Sequence, residues 1–314
     1  MKILISEPYE FPDEAISILQ LLGELTLKNC DRRELLEAIP TYDVIFTRLA
    51  HKLDKEFFDK SKNLKIIVSP TTGLNHIDLG EAKVKGIEIL SLKGESEFLK
   101  NISATAELAW GLIISISRNL NEAINHVANG HWDRDKFKGA QLRGKTLGII
   151  GFGRLGKMIA EYGNAFGMEV LYSDPNVNSS AEDAQKVDLI KLLENSDVIS
   201  IHVNYSNETH KLIGSNILSK IKKCPVIINT SRGEIIDELA VVEALNNKII
   251  SGYATDVLFD ETSLDEDWLS KNVLWNHTQR NKILISPHIG GATNETIPAS
   301  EIYLSEKLKS FLIS

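Results

Sequence analysis

Short runs of β-branched and apolar residues alternate with segments of helical periodicity along most of the chain. In the first hundred residues four of these runs predict strands: 2–6, 44–47, 64–69 and 87–90. Between the first two runs, four apolar residues recur at the spacing of one helix face: Ala15, Ile18, Leu19 and Leu22. Strands that alternate with helices are typical of parallel sheets joined by crossover helices, so the pattern predicts an α/β protein.

The alternation pauses once and then resumes. A long apolar helix is predicted from Ile102 to about Leu120, and the segment 125–147 after it has no clear period and predicts an irregular arm. Six further strands are predicted beyond the arm: 145–150, 168–173, 198–203, 226–230, 252–257 and 282–286. The final segment, 295–313, has helical spacing and could pack on the first group of strands. The sequence therefore predicts two doubly wound parallel sheets of the Rossmann or flavodoxin-like kind.

The composition narrows the class of protein. A chain of 314 residues with 43% hydrophobic residues can form about two domains of roughly 150 residues each. The 43 acidic residues outnumber the 35 basic ones, and the formal charge of -8 disfavours nucleic acid and anionic membranes as partners. The most apolar stretch, Ile102 to Ile116, contains Glu107 and is shorter than the roughly 20 residues that cross a bilayer.

The amino terminus and the cysteines bear on the compartment. The first ten residues lack the apolar core and the small-residue cleavage site of a signal peptide. The two cysteines, Cys30 and Cys224, lie far apart and do not have the spacing of metal ligands. We therefore expect a cytoplasmic protein without a metal site.

A glycine-rich turn follows the strand predicted at 145–150. Residues 151–156 read Gly-Phe-Gly-Arg-Leu-Gly and lead into a helical segment, which is the order of a dinucleotide-binding turn. In such a turn Gly151 permits the tight bend, Gly153 lets a pyrophosphate approach the backbone, and Gly156 lets helix and strand pack closely. The free N–H groups at the helix amino terminus attract the phosphates. A glycine turn also occurs without a ligand, so the prediction needs a second feature.

That feature is Asp174, which ends the strand predicted at 168–173. It lies 18 residues after Gly156, close to the roughly 20 residues expected for a carboxylate that accepts the ribose hydroxyls. A carboxylate in this place would repel the additional phosphate of NADP. The sequence therefore predicts a dinucleotide site that binds NAD.

Three polar residues follow the later strands. Arg232 comes after the strand predicted at 226–230, Glu261 after the strand at 252–257, and His288 after the strand at 282–286. Parallel sheets bind ligands at the carboxyl ends of their strands, so these side chains could converge on one crevice. An arginine alone in this place is more often a surface or ion-pair residue. As a set, a guanidinium that binds a carboxylate and a histidine held by an acid are suited to proton exchange with a carbonyl oxygen.

With these residues in place, the chain resembles the D-isomer-specific 2-hydroxyacid dehydrogenases, and most closely their 3-phosphoglycerate dehydrogenase branch. The likeness runs through most of the chain and depends on seven segments: 73–78, 106–107, 130–132, 144–156, 229–237, 256–261 and 286–291. The resemblance implies an oxidoreductase that moves a hydride between NAD(H) and a small anionic 2-keto or 2-hydroxy acid. It implies that Arg232 binds the substrate, that His288 is the acid/base, and that Glu261 orients His288.

The resemblance also implies the remaining contacts. The cofactor would lie along thirteen residues: Gly151, Gly153, Arg154, Leu155, Gly156, Asp174, His202, Val203, Thr209, Thr230, Ser231, Asp256 and Gly290. The substrate would contact five others: Arg48, Thr72, Gly73, Leu74 and Asn75. The substrate domain would be discontinuous, 1–100 plus 292–314, with the NAD-binding domain 101–291 inserted into it. An arm near 118–144 would contact the second subunit of a homodimer.

Departures from the family pattern leave the substrate open. Arg48 matches the family's phosphate-binding region, whereas Ala50 stands where phosphoglycerate enzymes can carry a second arginine. A phosphorylated substrate is therefore one of two alternatives. The segment 262–280 is longer than the link expected between Glu261 and His288, and the sequence indicates no role for it.

Two other functions use the same fold. Corepressors that resemble these dehydrogenases sense NAD(H), and an inactive relative could keep the nucleotide site alone. The joint presence of Arg232, Glu261 and His288 favours the enzyme over both.

Overall fold

The computed structural model describes residues 1–177, 183–265, 267–278 and 282–313. The chain divides into two compact units. The first unit contains Met1–Asn101, Thr262–Leu264 and Ala292–Ser314, and the second contains Ile102–Glu261 and Asp265–Gly291. Each unit has its own parallel sheet.

The first unit is built on five strands: β1 (Lys2–Ile5), β2 (Glu24–Leu27), β3 (Val44–Phe46), β4 (Ile66–Ser69) and β5 (Glu88–Ser91). They lie in the order β2-β1-β3-β4-β5, and every neighbouring pair is parallel. Five helices accompany them: α1 (Asp13–Gln20), α2 (Arg32–Ala38), α3 (Lys55–Lys60), α4 (Leu79–Val84) and α5 (Ser96–Leu99). The order of strands reverses between β1 and β3, which is the point at which such sheets bind ligands.

The second unit is built on seven strands: β6 (Thr146–Ile150), β7 (Glu169–Ser173), β8 (Gln185–Lys186), β9 (Val198–Ile201), β10 (Val226–Asn229), β11 (Gly252–Thr255) and β12 (Ile283–Ile285). They lie in the order β12-β11-β10-β9-β6-β7-β8, again with every neighbouring pair parallel. The order reverses between β6 and β9, as in dinucleotide-binding sheets.

Among its described residues, the second unit has eight helices: α6 (Ala104–Arg118), α7 (Leu120–Ala128), α8 (Arg154–Ala165), α9 (Leu189–Asn195), α10 (Ser215–Leu218), α11 (Glu238–Asn246), α12 (Trp268–Lys271) and α13 (Val273–His277). The last helix, α14 (Thr296–Ile313), belongs to the first unit and packs on α1, β4 and β5. No helix within the described ranges is long and apolar enough to cross a membrane.

The second sheet is buried on both faces. Ile227 of β10 packs in one apolar cluster with Leu192 and Val241, whereas its neighbour Ile228 packs in another with Ile113 and Ile159. Because alternate side chains of a strand point to opposite faces, helices must cover both sides of this sheet. This arrangement explains the continuous apolar runs in the sequence, and the predicted fold class of two doubly wound parallel sheets is confirmed.

Several helices begin at a signal that is visible in the sequence. Five of them have an N-cap aspartate whose side chain accepts a hydrogen bond from the N–H of the third helical residue: Asp31, Asp54, Asp78, Asp188 and Asp237. Such a cap satisfies a backbone donor that the helix itself leaves unpaired and stabilises the helix by about 1 kcal/mol.

The helix α7 (Leu120–Ala128) extends into the start of the irregular arm predicted at 125–147. Asn119, with a φ of +52°, ends α6 in the left-handed conformation, and α7 starts directly after it. No residue of α7 is buried, although Ile124 and Val127 are apolar, and Trp132 beyond it is 89% exposed. The arm therefore presents apolar side chains on its surface.

Candidate active site

The glycine turn bends sharply after β6. Gly151 has a φ of +91°, and a Cβ atom there would lie 2.6 Å from the carbonyl oxygen of His202. A Cβ atom on Gly156 would lie 2.2 Å from the carbonyl oxygen of Gly151, so only glycine lets the first turn of α8 come so close to the end of the strand. At Gly153, by contrast, a Cβ atom would meet no described atom within 4 Å. This open space at the amino terminus of α8 fits a pyrophosphate.

Asp174 lies directly beside this turn. One carboxylate oxygen accepts a hydrogen bond from the N–H of Phe152 and the other from the N–H of Asn176, both at 2.8 Å. The carboxylate therefore stands between the end of β7 and the glycine turn, where a nucleotide ribose would lie. The guanidinium of Arg154 donates a hydrogen bond to the carbonyl oxygen of Ile102, just before α6.

His202 and Thr209 shape the loop after β9. The Nε2 atom of His202 lies 2.7 Å from Oγ of Ser200, and burial lowers the pKa of this histidine to about 4. The imidazole is therefore neutral near pH 7. The hydroxyl of Thr209 donates to the carbonyl oxygen of Asn204 and accepts from the N–H of Ser206, both at 2.7 Å, which closes the loop on itself.

Arg232 is held at the end of β10 by the side chain of Asn229. The Asn229 amide accepts a hydrogen bond from the N–H of Ser231 (3.0 Å) and donates one to the carbonyl oxygen of Arg232 (2.9 Å). Burial lowers the pKa of Arg232, whereas the neighbouring Glu261 and Glu234 raise it. An arginine stays protonated in proteins, so the site contains a partly buried cation next to an acid.

His288 and Glu261 are in direct contact. The Nδ1 atom of His288 lies 2.5 Å from Oε1 of Glu261. The other oxygen of Glu261 accepts a hydrogen bond from the N–H of Leu258 (3.3 Å), which ties the carboxylate to the end of β11. Since Nδ1 is engaged by the acid, Nε2 is the ring nitrogen that could exchange a proton with a ligand.

A buried carboxylate fixes the turn that carries His288. Asp256, 2% exposed, accepts hydrogen bonds from the hydroxyl of Ser286 (2.5 Å) and from the N–H groups of Ile289 (2.9 Å) and Gly290 (2.7 Å). Burial raises the pKa of Asp256, and these hydrogen bonds lower it. His288 has a φ of +52°, and its own N–H donates to the carbonyl oxygen of Asp256 (2.9 Å). A left-handed conformation costs a non-glycine residue about 1–2 kcal/mol, so Asp256 is the residue that stabilises this strained turn.

Glu238 connects the loop of Glu261 with helix α13. Its carboxylate accepts hydrogen bonds from the N–H of Phe259 (2.9 Å) and from the side-chain amide of Asn272 (2.8 Å), which is the N-cap of α13. Burial raises the pKa of Glu238. The segment after Glu261, to which the sequence gives no role, is thus attached to the loop that carries the acid.

The second sheet brings the three predicted reacting residues to successive strands. Arg232 follows β10, Glu261 follows β11 and His288 follows β12, and these three strands are neighbours. The glycine turn follows β6, with only β9 between β6 and β10. Every one of these residues lies at the carboxyl edge of one parallel sheet, where an α/β fold binds its ligands.

The residues that the resemblance assigns to the substrate lie in the first unit. Thr72, Gly73, Leu74 and Asn75 form the loop after β4. Ser69 anchors this loop, because its Oγ lies 3.1 Å from Oγ1 of Thr71 and 3.2 Å from Nε2 of the buried His76. The hydroxyl of Thr71 in turn donates to the carbonyl oxygen of Gly73 (2.8 Å).

Arg48 follows β3, the strand beside β4. Its Nε and Nη2 atoms each lie 2.7 Å from Oε1 of Glu301, and Nη2 also donates to the carbonyl oxygen of Tyr9 (3.0 Å). The side chain that the sequence assigns to the substrate therefore has an acidic partner from α14.

Four residues with a part in the two sites were missed from the sequence: Asn229, Glu238, His76 and Glu301. The sequence does contain an indication of the role of Asn229, because this polar residue ends an otherwise apolar strand. It contains one for Glu301 too, because this residue shares a helix face with the fully buried Leu304 and Leu308. An acid on a buried helix face requires a partner, and that partner is Arg48.

Together, the glycine turn, the ribose-side carboxylate and the acid-base pair next to a buried arginine define an oxidoreductase that uses a nicotinamide cofactor. The family model for "D-isomer specific 2-hydroxyacid dehydrogenase, NAD binding domain" matches residues 110–290. The chain belongs to this family, and its cofactor is NAD.

Individual relatives match nearly the whole chain. It is 35% identical over 311 residues to the hydroxypyruvate reductase of Thermotoga maritima, which covers 98% of this chain and 97% of the relative. It is 32% identical to the D-3-phosphoglycerate dehydrogenase of Methanocaldococcus jannaschii over 99% of this chain, but the chain spans only 57% of that relative's length. The structure resembles that of D-lactate dehydrogenase from Aquifex aeolicus complexed with NAD and lactic acid, with a TM-score of 0.84, 27% identity, and coverage of 100% of this chain and 96% of that one.

These comparisons confirm the family resemblance and the prediction of an NAD-dependent oxidoreductase. The relatives named here are reductases and dehydrogenases, and none of them supports the alternative of an NAD(H)-sensing corepressor.

Proposed function

We propose that the protein catalyses reversible hydride transfer between NAD(H) and the second carbon of a small anionic 2-keto or 2-hydroxy acid. The observation that supports this proposal most directly is the 2.5 Å contact between Nδ1 of His288 and Oε1 of Glu261. These residues follow β12 and β11, the two strands next to β10, and Arg232 follows β10. NAD, when bound, supplies or accepts the hydride.

The roles of the three residues follow from their chemistry. Arg232 offers paired donors to the substrate carboxylate and polarises the neighbouring keto oxygen. His288 gives a proton from Nε2 to that oxygen as the second carbon gains the hydride, and takes the proton back in the reverse direction. Glu261 balances the positive charge of the doubly protonated ring. One hydride and one proton convert the keto group into a hydroxyl group, so no further reactant is required.

The cofactor contacts are proposed from the edge of the second sheet. The open space at Gly153 and the amino terminus of α8 would receive the pyrophosphate, and Asp174 would accept the ribose hydroxyls. The residues proposed to lie along the rest of the cofactor follow β9, β10, β11 and β12: His202, Val203, Thr209, Thr230, Ser231, Asp256 and Gly290. The neutral ring of His202 adds no charge to this stretch.

The substrate is proposed from a relative that matches over nearly the full length of both chains, the hydroxypyruvate reductase. A short 2-keto acid such as hydroxypyruvate has the carboxylate and keto group that Arg232 and His288 require. In the first unit, the loop Thr72 to Asn75 would hold the carboxylate with its backbone.

We also propose a homodimer that uses the arm 118–144. The support is the apolar surface of α7 and of Trp132, because exposed apolar patches usually mark interaction sites. A cytoplasmic location is proposed because Cys30 and Cys224 are both free thiols, which a reducing compartment preserves.

The test is NADH oxidation, followed by absorbance, with a panel of 2-keto acids and three variants. Arg232→Ala and His288→Ala should each lower kcat/KM by about 10² to 10⁴-fold, the usual range for an acid/base or an anion clamp. His210→Ala removes an exposed histidine and serves as the matched control, with activity retained. NADH fluorescence should show that His288→Ala still binds the cofactor. Tight NADH binding without any substrate-dependent decay in the wild-type protein would refute the proposal.

A further inference from the structure

The first sheet has its own ligand-binding edge, and an ion pair occupies it. The order of strands reverses between β1 and β3, and in sheets of this order ligands bind just beyond the carboxyl ends of those two strands. Glu7 follows β1 and Arg48 follows β3. The acid that pairs with Arg48 is Glu301, from the distant helix α14.

Glu301 is fully buried, with a side-chain exposure of 0%. Its Oε1 atom accepts a hydrogen bond from Nε of Arg48 (2.7 Å) and lies 2.7 Å from Nη2 in the same ion pair. Its Oε2 atom is buried and has no hydrogen-bond partner among the described residues. A buried carboxylate with an unsatisfied oxygen destabilises a fold, so its presence at a ligand-binding edge points to a role in recognition.

Glu7 adds a second acid to the same place. One of its oxygens accepts hydrogen bonds from the N–H of Arg48 (2.5 Å) and the hydroxyl of Thr47 (3.0 Å), and the other from the N–H of Ala50 (3.0 Å). Two carboxylates thus contact Arg48, Glu301 at the guanidinium and Glu7 at the backbone N–H. The cavity that they line together with Pro70, at the start of the substrate loop, has a volume of about 10 Å³. This volume accommodates about one water molecule.

From this geometry we infer that Glu301 determines substrate specificity. By pairing with Arg48 it takes the place of an anionic substrate group, and it thereby restricts the enzyme to 2-keto acids whose tail, the part beyond the keto carbon, is uncharged. The inference rests on the proposed function and specifies its substrate class. Glu301 is a positioning residue, because it acts through Arg48. A phosphorylated tail would have to compete with an internal carboxylate for the guanidinium and would meet a second acid, Glu7, beside it.

The experiment compares hydroxypyruvate with 3-phosphohydroxypyruvate, which differ only by a phosphate on the tail. Assayed at a pH above the pKa of Glu301, about 7, at which its carboxylate is ionised, wild-type protein should have the higher kcat/KM with hydroxypyruvate. Glu301→Gln keeps the shape of the side chain and removes its charge, so it should lower KM for the phosphorylated acid by about tenfold. The kcat of both reactions and the KM for hydroxypyruvate should change by less than about twofold, since the reacting residues lie in the second unit.

Two further variants separate this role from a general effect of charge or stability. In the double variant R48Q/E301Q the decrease in KM for the phosphorylated acid should disappear, because no arginine remains to be released from its ion pair. Glu306→Gln makes the same charge change on an exposed position of α14 and should behave as the wild type. A wild type that prefers the phosphorylated acid, or an E301Q variant with an unchanged ratio of the two KM values, would overturn the inference.

A binding measurement distinguishes failure of this inference from failure of the proposed function. If no 2-keto acid is reduced by the wild type, the proposed function is wrong, and calorimetry with inorganic phosphate then decides about Glu301. E301Q should bind phosphate about tenfold more tightly than both the wild type and R48Q/E301Q. Equal phosphate affinity in the three proteins would refute the role of Glu301.

Discussion

Replacing Glu301 with glutamine should change how the stability of the first unit depends on pH. Burial raises the pKa of Glu301 from 4.5 to about 7, against the opposing effect of Arg48. The folded unit therefore binds more protons than the unfolded chain between these two values. The contribution of this carboxyl group to stability is fully present below about pH 4.5 and is lost as the pH rises through about 7.

The magnitude follows from the difference between the two pKa values. Since one pKa unit corresponds to about 1.4 kcal/mol, the wild type should lose about 3 kcal/mol of unfolding free energy from this group across the interval. Glutamine does not titrate, so the variant lacks this loss. The free energy of unfolding of E301Q, minus that of the wild type, should therefore rise by about 3 kcal/mol between mildly acidic and mildly alkaline pH.

The assay is urea denaturation at a series of pH values, with the unfolding of the first unit followed for both proteins. Glu306→Gln is the matched control, because it neutralises an exposed carboxylate on the same helix and should leave the pH dependence unchanged. A difference between E301Q and the wild type that is constant with pH would refute the reasoning. A difference that falls with rising pH would show that the attraction of Arg48 outweighs the cost of burial.

Three further predictions concern the second unit. Gly156→Ala should lower the free energy of unfolding by about 1–3 kcal/mol, because the new Cβ meets the carbonyl oxygen of Gly151. Gly153→Ala, whose Cβ enters open space, should keep the wild-type stability but lose NADH affinity in a fluorescence titration. Equal losses of stability in the two variants would contradict this prediction. Asp256→Ala should lower the free energy of unfolding, measured by urea denaturation, by about 2–4 kcal/mol and lower kcat by about 10²-fold, since three donors lose their acceptor and the turn at His288 relaxes. An unchanged kcat would show that other contacts hold this turn. Asp174→Ala should narrow the preference for NADH over NADPH in steady-state kinetics, and an unchanged ratio would remove Asp174 from the ribose site.

The sequence predicts the fold well where strands are buried on both faces. Such strands are short continuous apolar runs, and β3, β4, β6, β9 and β10 are fully buried runs of this kind. It does not predict β2 and β8, which lie at sheet edges: β2 alternates polar and apolar residues over only four exposed or half-exposed positions, and β8 consists of two exposed polar residues. The sequence does not indicate α7 as a helix, because none of its residues is buried and its few apolar residues do not pack on a core.

The convergence of Arg232, Glu261 and His288 was predictable from their positions after apolar strands, since a parallel sheet places all such positions on one edge. Their supporting contacts were not. The role of Asp256 depends on donors about 30 residues later, Ser286, Ile289 and Gly290, and nothing in the local pattern links them. The partner of Arg48 is 253 residues away and in another element, so it becomes visible only when α14 is placed against the first sheet.

That separation also has a consequence for biosynthesis. Helix α14 packs on α1, β4 and β5, yet it is translated only after all segments of the second unit. At the usual 5–20 residues per second, the ribosome needs roughly 10 to 40 seconds to pass from residue 101 to residue 292. During that time the nascent first sheet lacks one of its covering helices, and Arg48 lacks its counter-ion. A newly made chain therefore exposes an apolar, half-covered sheet for far longer than a single helix takes to form. Because exposed apolar surface favours aggregation, we expect a chain truncated before α14 to aggregate more readily than the full chain.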